Sequence, residues 1–146
     1  MTAAGTTVEE IHIAGIVVRF LVEAEATAGT ATLFEFDVSA EGHEPPPHSH
    51  DGWEETIYGV RGTLAWTVGG VTADIGPGEV LVIPRGVVHS FENSSGAPAT
   101  QLAVVTPGLL GPGYFRDQAA IFNTDGPPDV AAALEVMRRH GLTPAR

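Results

Sequence analysis

The chain has 146 residues, of which 43% are hydrophobic, 7% aromatic and 17% charged, the balance of one soluble globular domain large enough for a packed core. Its formal net charge is −11 and all seven positive charges are arginine, so phosphate backbones are repelled, nucleic acid is not an expected partner and lysine Schiff-base chemistry is excluded. With no cysteine, disulfides and thiolate chemistry are excluded too, and a metal must sit on imidazole nitrogen and carboxylate oxygen.

The opening stretch MTAAGTTVEE lacks a basic region followed by an apolar one, so no secretory leader is expected and the expected location is cytoplasmic. IHIAGIVVRFLV, residues 11 to 22, reads as strand broken near Gly15. ATLFEFDV, residues 31 to 38, alternates Leu33, Glu35 and Asp37 against Phe34, Phe36 and Val38, which predicts a half-buried strand. EETIYGVRG, TLAWTV and VTADI follow, with Gly69-Gly70 as a two-residue hairpin turn between the last two. VLVI, VVHSF and TQLAVVT complete the series, separated by IGPGE, PRG and NSSGAP, all turn chemistry. Many short strands with no helix among them predict an all-β sandwich or barrel over about residues 8–106. No apolar run approaches the length that crosses a bilayer, so no membrane partner is expected.

The end of the chain differs. PGLLGPGYFRDQ, residues 107 to 118, is irregular and is expected to close over one end of the barrel, with Tyr114 and Phe115 as lid residues. DVAAALEVMRRHG predicts a short C-terminal α-helix on the barrel exterior, capped by Asp129, striped by Val130, Leu134 and Met137, and ended at Gly141. The expected organisation is therefore a single domain over 1–146, with a C-terminal lid segment and helix over about 107–141.

The chemistry concentrates in PPPHSHDGWEETIYGVRG, residues 45 to 62. His48 and His50 are two apart, so on extended backbone their rings point to one face. Three prolines stiffen the approach to them. Glu54 and Glu55 must face opposite sides of a strand, and periodicity leaves open which is internal. If Glu55 and Ile57 face inward with Leu64, Trp66 and Val68, the parity must shift once, and Gly59 or Gly62 can host the bulge. If Glu54 is inward, no bulge is needed. Farther on, His89 shares a face with Val87 and Phe91, which points it inward. His12, His43 and His140 have no such company and read as surface residues. Glu54 and Arg85 are expected in solvent, and Asn93 is expected to bond the backbone of a turn.

Gly42, His48, His50, Glu55 and Gly62 follow the spacing G-x5-H-x-H-x4-E-x6-G, and Gly78, Pro84, Gly86, His89 and Asn93 follow G-x5-P-x-G-x2-H-x3-N. With these two motifs the chain resembles the cupin superfamily, as a small single-domain member. The resemblance implies a double-stranded β-helix, or jelly-roll, barrel. It selects Glu55 as the inward carboxylate, and implies that His48, His50, Glu55 and His89 hold one divalent transition metal. The donor set suits Fe, Mn, Ni, Cu or Zn, and four protein ligands leave two positions of a six-coordinate sphere open. HSHDGWEETIYGVRG and the later Pro-Gly segment before Tyr114-Phe115 also resemble small quercetinase-like cupins, which open flavonol-type rings.

The resemblance thus implies a metal-dependent small-molecule enzyme, foremost a dioxygenase acting on an enolic or phenolic substrate, with Glu55 as the proton acceptor. Trp66, Phe91 and Ile57 are the candidate substrate contacts. The alternatives are a non-redox isomerase, decarboxylase or polyketide-type cyclase, or a cupin that binds a small ligand without turnover. Small cupins commonly form homodimers, and IVVRFLV is the candidate contributor. The lysine-free, Ala-, Gly-, Pro- and Arg-rich composition suggests a bacterial source.

Overall fold

The computed structural model describes residues 8–40 and 45–145; Gly42 and His43 lie outside them. The broken strand forms a hairpin: β1 (Glu9–Ile13) and β2 (Ile16–Val22) pair through Ala14 and Gly15, both at positive φ. β3 (Thr32–Val38) and β4 (His48–His50) follow, then β5 (Glu54–Arg61). β6 (Leu64–Val68) and β7 (Val71–Ile75) turn through Gly69 and Gly70 at φ 58° and 82°, the left-handed pair a two-residue hairpin needs. β8 (Val80–Ile83), β9 (His89–Glu92) and β10 (Ala99–Thr106) complete the predicted series.

Two antiparallel sheets result, one ordered β1-β2-β3-β10-β5-β8 and the other built on β4-β9-β6-β7. Alternation decides which faces meet. Phe34, Phe36 and Val38 are buried while Leu33, Glu35 and Asp37 lie between them on the outer face, where Arg19 bridges Glu35 and Asp37. Ile57, Leu64 and Ile83 have no exposed surface, and burying each stabilises by about 1.5–3 kcal/mol. β2 lies between β1 and β3, so IVVRFLV is an internal strand.

The parity question resolves through a bulge. Glu55, Ile57 and Gly59 are buried, and the pairing of β5 with β10 slips by one residue between Gly59 and Arg61. The slip lets Leu64 and Trp66 face inward as well. Gly59 is required there, because a Cβ would stand 1.9 Å from the Gly76 carbonyl oxygen.

After β10 the chain departs from expectation. The irregular stretch contains a helix, α1 (Pro112–Phe122), with proline in its first turn. α2 (Val130–Arg139) is capped as predicted, the Asp129 carboxylate accepting from the Ala132 N–H at 3.0 Å. Its buried stripe is Ala133, Val136 and Met137 rather than one begun by Val130, which is 57% exposed. Val130 is the first residue of the helix. α2 does not simply coat the barrel exterior: Met137 is fully buried in the core cluster. Beyond Gly141, β11 (Leu142–Pro144) pairs with β4 and becomes the edge of the second sheet. Among the described residues no helix is long and apolar enough to cross a membrane.

Candidate metal centre

His48 and His50 lie on β4 and are both buried, as their spacing of two dictates. His48 pairs across the sheet with His89 of β9. The ligand nitrogens of the three rings all lie within 4.8 Å of one another, and the ring centroids are 4.6–5.9 Å apart. Glu55 enters from the opposite sheet, 7% exposed, with Oε1 3.7 Å from His50 Nε2. Glu54 points outward to an ion pair with Arg85.

Each imidazole is held the same way. Nδ1 of His48 lies 2.8 Å from the Pro46 carbonyl oxygen, that of His50 3.2 Å from Trp53 O, and that of His89 3.0 Å from Val87 O. A carbonyl oxygen only accepts, so each Nδ1 carries the hydrogen and each Nε2 keeps its lone pair. The second proline of the three thus has a companion role to stiffening: Pro46 orients a ring. His50 Nε2 is buried without a hydrogen-bond partner. Three neutral imidazoles with free Nε2 atoms, each braced by an outer carbonyl, fit a divalent transition metal.

Electrostatics agree. Burial holds the His48 imidazolium down to about 3 and that of His50 down to about 4, with the neighbouring His89 adding to both; burial also lowers His89. Burial pushes the Glu55 carboxyl up to about 7. At neutral pH the centre therefore offers neutral nitrogen donors beside a carboxyl poised to gain or lose a proton.

The centre opens onto a cavity of about 140 Å³. Trp66 and Phe91 line it together with Phe34, Phe36 and Phe115. Ile57 is not among the lining residues; it is wholly buried in the core. Among the described residues no arginine lines the cavity. Of the remaining histidines, His12 is exposed near Glu10 and His140 bonds Asp117 at 2.8 Å. Asn93 bonds turn and strand carbonyls, including that of Ala97 at 2.7 Å, as its motif position suggested.

The sequence reading missed Trp53, Gln118 and Leu142. Trp53 stacks on His50 at 4.8 Å, while Gln118 and Leu142 line the cavity. The stretch DGWEE held the only signal for Trp53, an aromatic next to a ligand loop. Tyr114 and Phe115, expected in a lid, do line the cavity, but from a regular helix.

A family model described as "Cupin domain" matches residues 34–105. This match, with the two complete motifs, puts residues 34–105 in the cupin superfamily, and the sheets and the solved structures below agree in fold. The chain is 37% identical over 89 residues to germin-like protein 1-3 of Oryza sativa subsp. japonica, covering 56% of this chain and 38% of that one. It spans less than half the length of the curated relatives it matches. Among solved structures it is similar to a predicted oxalate decarboxylase from Thermotoga maritima, with TM-score 0.62 and 24% identity over 73% of this chain and 96% of that one. It is also similar to a sugar phosphate isomerase of Silicibacter pomeroyi, with TM-score 0.55 and 24% identity over 63% of this chain and 59% of that one.

Proposed function

We propose that this cupin is a metal-dependent small-molecule enzyme, and specifically a dioxygenase acting on an enolic or phenolic substrate. The observation that carries the reading is the set of three carbonyl-braced imidazoles, Nε2 lone pairs free, beside Glu55 at the end of an aromatic cavity. His48, His50, His89 and Glu55 would hold one divalent metal. Bound there, Fe, Mn, Ni or Cu would supply Lewis acidity toward an enol or phenol oxygen together with dioxygen chemistry. Glu55 takes the substrate's hydroxyl proton, for which its burial-raised affinity suits it. Trp66, Phe91 and Phe36 flank a flat ring and exclude water from it. Ile57 belongs to the same core cluster as Trp66.

A non-redox isomerase or decarboxylase, with zinc or manganese at the same residues, is the second reading. It is favoured by the similar solved structures, a sugar phosphate isomerase and a predicted oxalate decarboxylase. Against a sugar phosphate or dicarboxylate stands the lining itself, which has no arginine among the described residues to meet an anion.

Elemental analysis of protein purified without chelator distinguishes a redox metal from zinc. Oxygen uptake by Fe-, Mn- or Ni-loaded protein on flavonols, diketones and catechols is the expected positive result. Silence across that panel removes the dioxygenase. Metal uptake without turnover of any substrate leaves a ligand-binding cupin. Glu55→Gln is expected to retain metal and lose turnover; retained turnover assigns the proton to another group. The reading includes a homodimer, supported by exposed apolar side chains Tyr58, Val80 and Val82 on the paired strands β5 and β8. Sedimentation at micromolar concentration tests it, and a monomer removes it.

A further inference from the structure

The cavity has a second pair of polar side chains besides those of the histidine centre. Tyr114 and Gln118, one turn apart on α1, are each 6% exposed and both line it. Gln118 Nε2 donates to the Ala133 carbonyl oxygen at 3.1 Å and to Tyr114 Oη at 3.3 Å. The Ala133 carbonyl can only accept, so it fixes which way the amide faces. Two consequences follow from that orientation. Gln118 Oε1 is buried with no protein partner. Tyr114 Oη, engaged only as an acceptor, keeps its own hydrogen free to donate.

A buried acceptor beside a free donor, among aromatic walls, is the arrangement that reads a hydroxyl group, which donates and accepts at once. We propose that Tyr114 and Gln118 form a specificity pair that binds a ring hydroxyl of the substrate other than the oxygen presented to the histidine centre. Gln118 Oε1 accepts the hydroxyl hydrogen and Tyr114 O–H donates to its oxygen. Both protein groups are neutral, since burial raises the Tyr114 phenol to about 12, so the pair selects an uncharged hydroxyl over a carboxylate or phosphate. The substrate class is then an uncharged, flat aromatic enol bearing at least one further hydroxyl. The inference rests on the reading of the cavity as an enol or phenol site.

Zinc-loaded protein, redox-inert toward the probe, is titrated with 3-hydroxyflavone and with its congeners carrying one additional ring hydroxyl, and binding is read by fluorescence. At least one congener is expected to bind the wild type about tenfold or more tightly than the parent, the discrimination a site built around a buried hydrogen bond provides. Gln118→Met and Tyr114→Phe are each expected to erase that preference, bringing the congener's affinity to within about threefold of the parent's in the same variant. Absence of any preference in the wild type, or its survival in both variants, overturns the pair. If zinc is taken up but neither parent nor congener binds, the substrate class itself fails and the pair falls with it. A structure of the wild-type complex stands independently of the variants' folding. The extra hydroxyl within about 3 Å of Gln118 Oε1 supports the pair, and any other location overturns it.

Discussion

Two buried polar clusters inside the same barrel make opposite use of their hydrogen bonds. Gln101 of β10 has no exposed surface; its Oε1 accepts from Trp66 Nε1 at 2.8 Å and its Nε2 donates to the Ile75 carbonyl at 2.9 Å. It ties one sheet to the other with no polar atom left over. His50 is as deeply buried, yet its Nε2 has no hydrogen-bond partner and Glu55 stands near it with a raised proton affinity. A buried polar group without a partner costs about 1–3 kcal/mol. The first cluster avoids that cost and is structural. The second carries it, and the geometry that leaves the lone pairs bare is what suits them to a cation.

The comparison breaks most visibly if the two clusters are exchanged in their effects. His50→Ala is expected to weaken zinc binding by more than about a hundredfold in a competition assay, because even outer partners of metal ligands are worth about 10–100-fold. Gln101→Leu is expected to leave zinc affinity unchanged. It should instead destabilise by about 2 kcal/mol or more in denaturant unfolding, since the Trp66 N–H and the Ile75 carbonyl are both stranded. If Gln101→Leu impaired metal binding, the division between the clusters would be wrong.

Proton competition sharpens the same division. Burial keeps His48 and His50 neutral down to about 3 and about 4, and a cation has no proton to displace from them at pH 5. Glu55, held up at about 7, is protonated over that range and must release its proton to ligate. Zinc affinity should therefore fall with decreasing pH by about tenfold per unit between pH 6 and 5, the slope of one proton. Three exposed imidazoles would give a steeper fall. Glu55→Gln should flatten the dependence, which calorimetry in buffers of different ionisation enthalpy can measure. The smallest effect is expected at the surface. Arg85→Ala removes the exposed pair with Glu54 and should change neither melting temperature nor zinc affinity measurably.

The legibility of the site follows from how local its signals are. His48 and His50 share a face because residues two apart on a strand must. His89 was readable from its apolar neighbours on one strand face. Glu55 against Glu54 was not decidable by periodicity, because the answer depends on the bulge after Gly59. That bulge exists where β5 meets β10, some forty residues later, and where the backbone of Gly76 crosses close by. The helix stripe failed at Val130 because a period gives a face only once the partner helix is in place.

By itself, the sequence determined the barrel strands, their turns, the cap of α2 and the inward facing of His48, His50 and His89, while Glu55 was singled out only by the motif it completes. Alternation, left-handed glycines and capping chemistry all act within a few residues. Tertiary structure alone decided that Gln101 would bridge the sheets, that three residues after Gly141 would pair with the histidine strand, and that α1 would present Tyr114 and Gln118 to the cavity. A three-residue strand has too short a period to register. A helix pointing into a cavity needs the same polar and apolar residues as one lying on a surface, so only the packing of distant elements tells them apart.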